Sequence, residues 1–219
     1  MINILFEDNH LLVVEKPINM PVCEDESKDI DLLTTLKKYL KDKYNKPGNV
    51  YLGLVHRLDR PVGGVMVFAK TSKTASRLSE QIRLHQFKKE YFAVIIGKTK
   101  ENIGTYHDFM IKNKKENISY IDKMGKEAIL DYTLIKYNKK EKMSLVKINL
   151  KTGRSHQIRL QFSYHGNPLY GDQKYNKLSK IKEKIALFAQ KITFFHPISK
   201  KLITFQLDLP NYYPWNVFK

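Results

Sequence analysis

The spacing of apolar positions changes repeatedly along this chain, and each change marks an element. Residues 10–16 form a short, almost unbroken apolar run, which predicts a strand, and residues 17–21 turn away from it. Leu32, Leu33, Leu36, Tyr39 and Leu40 then recur at helical spacing in a lysine-rich segment that ends near Pro47-Gly48. This predicts a helix with one packed face and solvated lysines opposite. Residues 51–58 make an apolar approach to HRLDR, and VMVFAK resumes strand character after Gly63-Gly64. Two strands are therefore expected to flank a tight loop carrying Arg57, Asp59 and Arg60.

Residues 71–85 predict a second helix, with Ala75, Leu78 and Ile82 inward and Arg77 and Arg83 toward solvent. EYFAVIIG is rich in β-branched and aromatic residues and predicts a strand. Residues 97–125 have little periodicity and many Lys and Asn; a short hairpin on the rim fits them, either touching a partner or simply solvated. Residues 127–137 and 142–150 form a strand pair around the polar NKKEK turn. Ser155 is the expected cap of a third helix carrying Ile158, Leu160, Phe162 and Tyr164. ALFAQKITFF and KLITFQLDL close the chain as a hairpin around HPISK. Hairpins dominate and regular βαβ repetition is absent, so the expected class is α+β: an extended mixed, largely antiparallel sheet with about three inserted helices. With neither a repeat nor a linker, residues 1–219 read as a single domain.

Composition narrows the field. The 39 Lys and Arg residues against 22 acidic ones leave a formal charge of +17. That surplus favours a polyanionic partner, although a lysine-rich composition produces charge without any such function. Cys23 is the only cysteine, so neither an internal disulfide nor a multi-cysteine metal site can form. The opening MINILFEDNHLLVVEKP lacks a leader pattern, and no apolar stretch approaches the roughly eighteen residues of a bilayer span. A soluble cytoplasmic protein is expected.

Two clusters can carry chemistry. In VHRLDR, Asp59 stands between Arg57 and Arg60 just before the helix-breaking PVGG, where a sheet can hold it in register and a loop can leave it reachable. A neighbouring guanidinium would favour its charged form. A surface ion pair that merely anchors the turn is the plainer reading. One acid in such a setting does not match a two-carboxylate glycoside hydrolase. The second cluster, TGRSHQIR, holds Arg154, His156, Gln157 and Arg159, with Arg159 one turn beyond a helix start able to receive phosphate. His156 reads more readily as a core or phosphate contact than as a general base. The seven histidines form no HExxH or His-Cys set, so no metal site is expected. Tyr91, in KKEYFAVIIG, is either one more packed aromatic or a ring facing a substrate base.

Together these segments resemble the RluA-type family of RNA pseudouridine synthases. HRLDRPVGGVMVFAK is similar to the family's catalytic motif, KKEYFAVIIG to its tyrosine-bearing strand, and LKTGRSHQIR followed by HGNPLYGD to its third motif. VVEKP and LFAQKITFFHP also resemble family segments, and the order is the family's throughout. The resemblance implies a catalytic Asp59, an active-site Tyr91 and an Arg159 that pairs with the aspartate. It also implies an Arg57 that holds the flipped RNA target; Arg60, Arg154 and His156 are the further RNA-binding expectations. Pro61-Val62 and Gly63-Gly64 stand where the family often has Thr-Ser-Gly, and Gln161 where it often has histidine. No appreciable chain precedes the catalytic region, so the small N-terminal RNA-binding domain of some relatives is expected to be absent.

The expected activity is thus isomerisation of uridine in ribosomal or transfer RNA to pseudouridine, with neither a cofactor nor an obligate protein partner. Two rivals share the basic surface. One is a non-catalytic RNA-binding or ribosome-assembly protein; the other is an RNA glycosylase, which would leave free uracil and an abasic product.

Overall fold

The computed structural model describes residues 2–180 and 183–219. In chain order its elements begin with β1 (Asn3–Glu7), β2 (Leu11–Lys16), α1 (Leu32–Lys43), β3 (Gly53–Leu54), β4 (Gly63–Ala69) and α2 (Ser72–Arg83). They continue with β5 (Lys88–Ile96), β6 (Ile103–Asn113), β7 (Ile118–Ile121), β8 (Lys126–Asn138) and β9 (Met143–Leu150). The chain closes with α3 (Gln157–Tyr164), β10 (Leu187–Phe195), β11 (Leu202–Gln206) and a 3-10 turn at Trp215–Phe218. This is the expected α+β class. The described residues gather into two compact units, Met1–Lys88 with Ala189–Leu207, and Lys89–Phe188 with Asp208–Lys219. No described helix is long and apolar enough to cross a membrane.

The first unit is organised around β4, whose seven residues GGVMVFA are all buried. β2 runs antiparallel along one edge, from Leu11↔Ala69 to Lys16↔Gly64, and β1 adds antiparallel to β2. The strand expected over residues 51–58 shrinks to β3, which pairs only with Phe68 and Ala69. β10 takes the rest of that edge of β4, which forces residues 55–62 out of the sheet. Gly64 makes this possible. Its φ is +130°, and a Cβ there would lie 2.3 Å from the Ala189 carbonyl oxygen. Leu11, Val13, Val65, Val67, Leu78, Phe87, Ile192 and Phe194 form the buried cluster on one face.

Both helices of this unit are capped, by Asp31 and Thr71. Gln81 of α2 donates to the Phe195 carbonyl and accepts from the Phe195 N–H, both at 2.8 Å, so its amide pairs with β10 as a strand would. Arg77, expected in solvent, is half-buried because its guanidinium donates to the Pro197 carbonyl at 2.9 Å. β1, which the hydrophobic pattern does not announce, is tied to α1 through Glu7. That carboxylate accepts from Lys43, Tyr39, Tyr44 and Lys70 at 2.6–3.0 Å.

In the second unit the strand order is β5-β9-β8-β6-β7, antiparallel at each step. The predicted pair 127–137 and 142–150 is β8 and β9. The rim hairpin is longer than expected: β6 spans eleven residues and pairs with β8 from Ile103↔Thr133 to Met110↔Lys126. Its alternation is visible only in retrospect, because Tyr106 and Met110 face inward while polar residues and exposed Ile103, Phe109 and Ile111 alternate with them. Helix α3 also departs from expectation. It starts at Gln157, its cap position is His156 in the left-handed region at φ 56°, and Ser155 makes no cap. Tyr164 is exposed rather than packed, whereas every residue from Gln157 to Phe162 is buried. An i, i+2 series cannot line one helical face, so the helix is buried on several sides instead.

Glu7 yields a stability prediction. Burial raises its pKa, but the four donors overcome this and hold it at about 2, below its ordinary 4.5. A depressed carboxylate stabilises the fold above its unfolded pKa and loses that contribution as pH falls toward the folded value. Glu7→Gln should therefore cost about 1–3 kcal/mol at pH 7, and the deficit should shrink between pH 4.5 and 2. Urea unfolding across that range checks it; a deficit independent of pH would contradict the charge assignment.

Candidate active site

The loop bearing Asp59 has no regular hydrogen-bond ladder, so its buried carbonyls need donors from elsewhere. Lys16, at the end of β2 and only 1% exposed, supplies them. Its ammonium donates to the carbonyls of Pro17 at 2.8 Å, Arg60 at 3.0 Å and Val62 at 2.8 Å. A charged amine has three N–H groups and a neutral one only two, so three carbonyl acceptors match the protonated form. Burial nevertheless pushes the Lys16 pKa down to about 7; the Asp59 charge pulls it up and Arg60 pushes it down. A backbone turn from Asp59 to Val62, with N–H to carbonyl at 3.0 Å, completes the loop.

The effect is to hold Asp59 half-buried between two exposed arginines. Arg60 turns outward: its guanidinium donates to Ser27 Oγ at 2.9 Å and forms ion pairs with Asp29 and, at 3.8 Å, with Asp25. Arg57 is exposed. A carboxylate on a loop whose carbonyls an ammonium anchors, between two exposed arginines, can meet an anionic ligand without being swept from its position.

Tyr91, Arg154, His156 and Arg159 belong to the second unit. Tyr91 lies on β5 opposite Ile148 and is 6% exposed. Arg154 is exposed and donates to the Glu127 carbonyl at 2.7 Å. Arg159 is buried, and its Nε and Nη2 bond to the two carboxylate oxygens of Asp172 at 2.8 and 2.7 Å. Asp172 is fully covered and also accepts from the Lys174 N–H at 3.0 Å. The guanidinium carbon of Arg159 stands 5.4 Å over the Tyr175 ring, whose hydroxyl lies 2.8 Å from His156 Nδ1 and accepts from the Ser119 N–H at 2.7 Å. Burial raises the Tyr175 pKa. His156 is thus a buried member of a network that fixes Arg159.

Two glutamines, Gln157 of TGRSHQIR and Gln161 just beyond it, do the remaining work. Gln157 accepts from the Arg154 N–H and the Thr152 hydroxyl, and donates to the Ile129 carbonyl and to Gln161. Gln161 passes the chain on to Asp108 at 2.7 Å and to the Ala128 carbonyl at 3.0 Å. These bonds lash α3 to β8 and explain how a helix with so many buried polar groups is tolerated. Gly171 brings Asp172 into place: its φ is +71°, and a Cβ there would sit 2.2 Å from the Lys184 carbonyl oxygen.

The sequence patterns mark Asp59, Tyr91 and the basic residues but not Lys16, Asp172 or Tyr175. A lysine closing the apolar run LLVVEKP was the available signal for the first. For the others, the YGD of HGNPLYGD offered only a turn glycine beside an acid.

A model of the RNA pseudouridylate synthase family matches residues 10–164. The uncharacterized RNA pseudouridine synthase YhcT of Bacillus subtilis (strain 168) is 33% identical over 211 residues, covering 95% of this chain and 69% of that protein. Ribosomal large subunit pseudouridine synthase C of Buchnera aphidicola subsp. Baizongia pistaciae (strain Bp) is 37% identical over 218 residues, covering 94% and 67%. Among solved structures, human RNA pseudouridylate synthase domain containing 4 has a TM-score of 0.79 at 21% identity, covering 95% of this chain and 88% of that one. This last likeness bears on the fold alone.

Two substitutions test the supports. Lys16→Met keeps the apolar stem but leaves three carbonyls without their donor, and should cost about 2–4 kcal/mol in urea unfolding at pH 7. A loss within error of zero would show that the ammonium does not hold the loop. Asp172→Asn removes the carboxylate charge paired with the buried Arg159 guanidinium and should cost about 3–5 kcal/mol. Less than about 1 kcal/mol, the scale of an exposed pair, would mean that solvent reaches the arginine.

Proposed function

The chain belongs to the RNA pseudouridylate synthase family, of the RluA type, and from that premise we propose that Asp59 opens the glycosidic bond of a uridine in ribosomal RNA, with Tyr91 and Arg159 serving the same reaction. The enzyme is an RNA pseudouridine synthase, and its overall reaction is an isomerisation. The N1–C1′ bond breaks, the freed uracil turns, and a C5–C1′ bond forms. The C5 hydrogen leaves as a proton and N1 gains one, so neither a redox partner nor a group donor enters the balance.

The observation that carries the assignment is the loop itself. Asp59 is the acid of HRLDR, the loop has no sheet ladder of its own, and a buried ammonium anchors its carbonyls. Such a carboxylate is preorganised, so little reorganisation is needed when it acts at the sugar. A uridine paired or stacked in RNA presents neither C1′ nor its base, so the target nucleotide is extruded before reaction, at least cost from a loop. Exposed Arg57 and Arg60, with Arg154, offset phosphate repulsion as the RNA approaches. Tyr91 is the proton shuttle or stacking group. Arg159, held rigidly by Asp172 and Tyr175, is the cation assigned to the same reaction. Its rigidity suits that role, because a guanidinium already paid for in ordering need not be gathered at each turnover. The choice of ribosomal RNA rests on relatives named as large-subunit enzymes.

RNA carrying tritium at uridine C5 tests the chemistry. Wild-type protein should release tritium to water, and Asp59→Asn should lower the rate by at least about a thousandfold while still binding RNA, about 4 kcal/mol of lost transition-state stabilisation. Release at the wild-type rate in the variant would remove Asp59 from the mechanism. Pseudouridine mapping in cells with and without the gene should show a lost position in large-subunit RNA; a loss confined to transfer RNA would move the substrate there.

A further inference from the structure

Outside the groups already given a role, one cation stands apart. Lys89 lies two residues before Tyr91 on β5, and strand alternation puts Lys89, Tyr91, Ala93 and Ile95 on one face, with Lys89 and Tyr91 about 7 Å apart. Tyr91, Ala93 and Ile95 are buried and Lys89 is half-buried. Many lysines of this protein carry their charge into water or into a carboxylate, as Lys43 and Lys70 do with Glu7. Lys89 does neither. Among the described residues its ammonium has no ion pair and no hydrogen bond, and burial alone acts on it, pushing its pKa down. A desolvated cation without a counter-charge is costly, so the fold retains a cost that an anion from outside would relieve.

The space before this ammonium is kept open by a glycine. A Cβ on Gly153 would come 3.4 Å from Lys89 Nζ. Unlike Gly64 and Gly171, Gly153 does not adopt a positive φ, so its backbone conformation does not require glycine. What the missing side chain provides is clearance. Gly153 belongs to the loop between β9 and α3, which ends in the network around Arg154, His156 and Gln157.

We propose that Lys89, opening onto Gly153, is a phosphate-binding subsite that takes one backbone phosphodiester of the substrate RNA beside Tyr91. The inference rests on the isomerase reading for the identity of its ligand. RNA is the occupant that the charge of +17 and the family both favour, and a phosphodiester is compact enough to enter over a glycine. The contact would fix the backbone next to the nucleotide on which the strand's tyrosine acts. It reads no base, so it contributes register rather than sequence preference.

The test measures binding apart from turnover. The full chain carrying Asp59→Asn is titrated with a fluorescent oligouridylate over a range of KCl concentrations. Adding Lys89→Gln should lower affinity and flatten the plot of log K against log salt by about 0.7, the signature of one lost phosphate on a single strand. Lys89→Arg should restore the slope. Gly153→Val, which keeps the charge but covers it, should flatten the slope like Lys89→Gln, and it guards against a folding defect at Lys89. An unchanged slope in Lys89→Gln or Gly153→Val, with both proteins folded by circular dichroism, would overturn the subsite. Inorganic phosphate should displace the RNA no better than chloride at equal ionic strength; selective displacement lost with Lys89→Gln would mark a free-anion site and overturn the RNA assignment. Tritium release by the Asp59 enzyme is read separately, so failure of the subsite and failure of the isomerase reading give different results.

Discussion

A buried ammonium under an irregular loop is the constraint on which the first unit depends. Residues 55–62 are excluded from the sheet because β10 occupies the edge of β4 they would have used. Excluded backbone keeps its carbonyls, and three carbonyls around the end of β2 have no ladder to join. Lys16 answers all three at once. One residue thereby substitutes for a strand, and the loop gains rigidity while its acid stays accessible. A loop ordered by ordinary turns alone would place Asp59 less sharply, since each weak backbone contact contributes only about 0.5–1.5 kcal/mol net.

The second unit solves a related problem with the opposite chemistry. There a guanidinium must be kept charged and immobile in a buried place. Asp172 supplies a two-point contact, Tyr175 a ring face, and His156 and Ser119 hold that tyrosine. A buried pair of this kind contributes little net stability against an apolar alternative, because desolvation of both charges offsets their attraction. Its presence is better explained by what a fixed arginine can do than by what it adds to the fold. The glutamines of α3 follow the same logic, giving up apolar packing for a helix whose azimuth and height are set by directional bonds.

Much of this was legible in the residues. The strands with strong β-branched runs, the two helices of the first unit and the β8–β9 pair follow from the hydrophobic period, and the motif order pointed to the family. What escaped had identifiable causes. β1 is only five residues and mixes polar with apolar positions, so no period stands out. β6 shows alternation, but its exposed face carries Ile103, Phe109 and Ile111, which blurs the contrast between faces. The start of α3 was misplaced because Ser155 is a good cap by type, whereas the chain reaches the helix through a left-handed His156. Two of the partners of Lys16 lie 44 and 46 residues away and that of Arg159 lies 13 away, and no local pattern encodes such pairings.

These distances in sequence also explain why the two basic motifs cannot be read as equivalent patches. Lys16 and Arg159 are cations already answered, one by carbonyls and the other by a carboxylate, so their charge contributes position. Arg57 and Arg60 lie at the surface, Arg60 in exposed ion pairs with Asp29 and Asp25, where water screens such attraction and lends both to steering a polyanion. Lys89 fits neither class, being half-desolvated yet matched to nothing among the described residues. A protein that used its charge only for loose adhesion to RNA would gain nothing by burying it in part, since exposed lysines release counterions equally well. Partial burial makes sense when the anion must arrive at one place and in one register. An enzyme that moves a single base on a single sugar has that requirement, and a general RNA-coating protein does not.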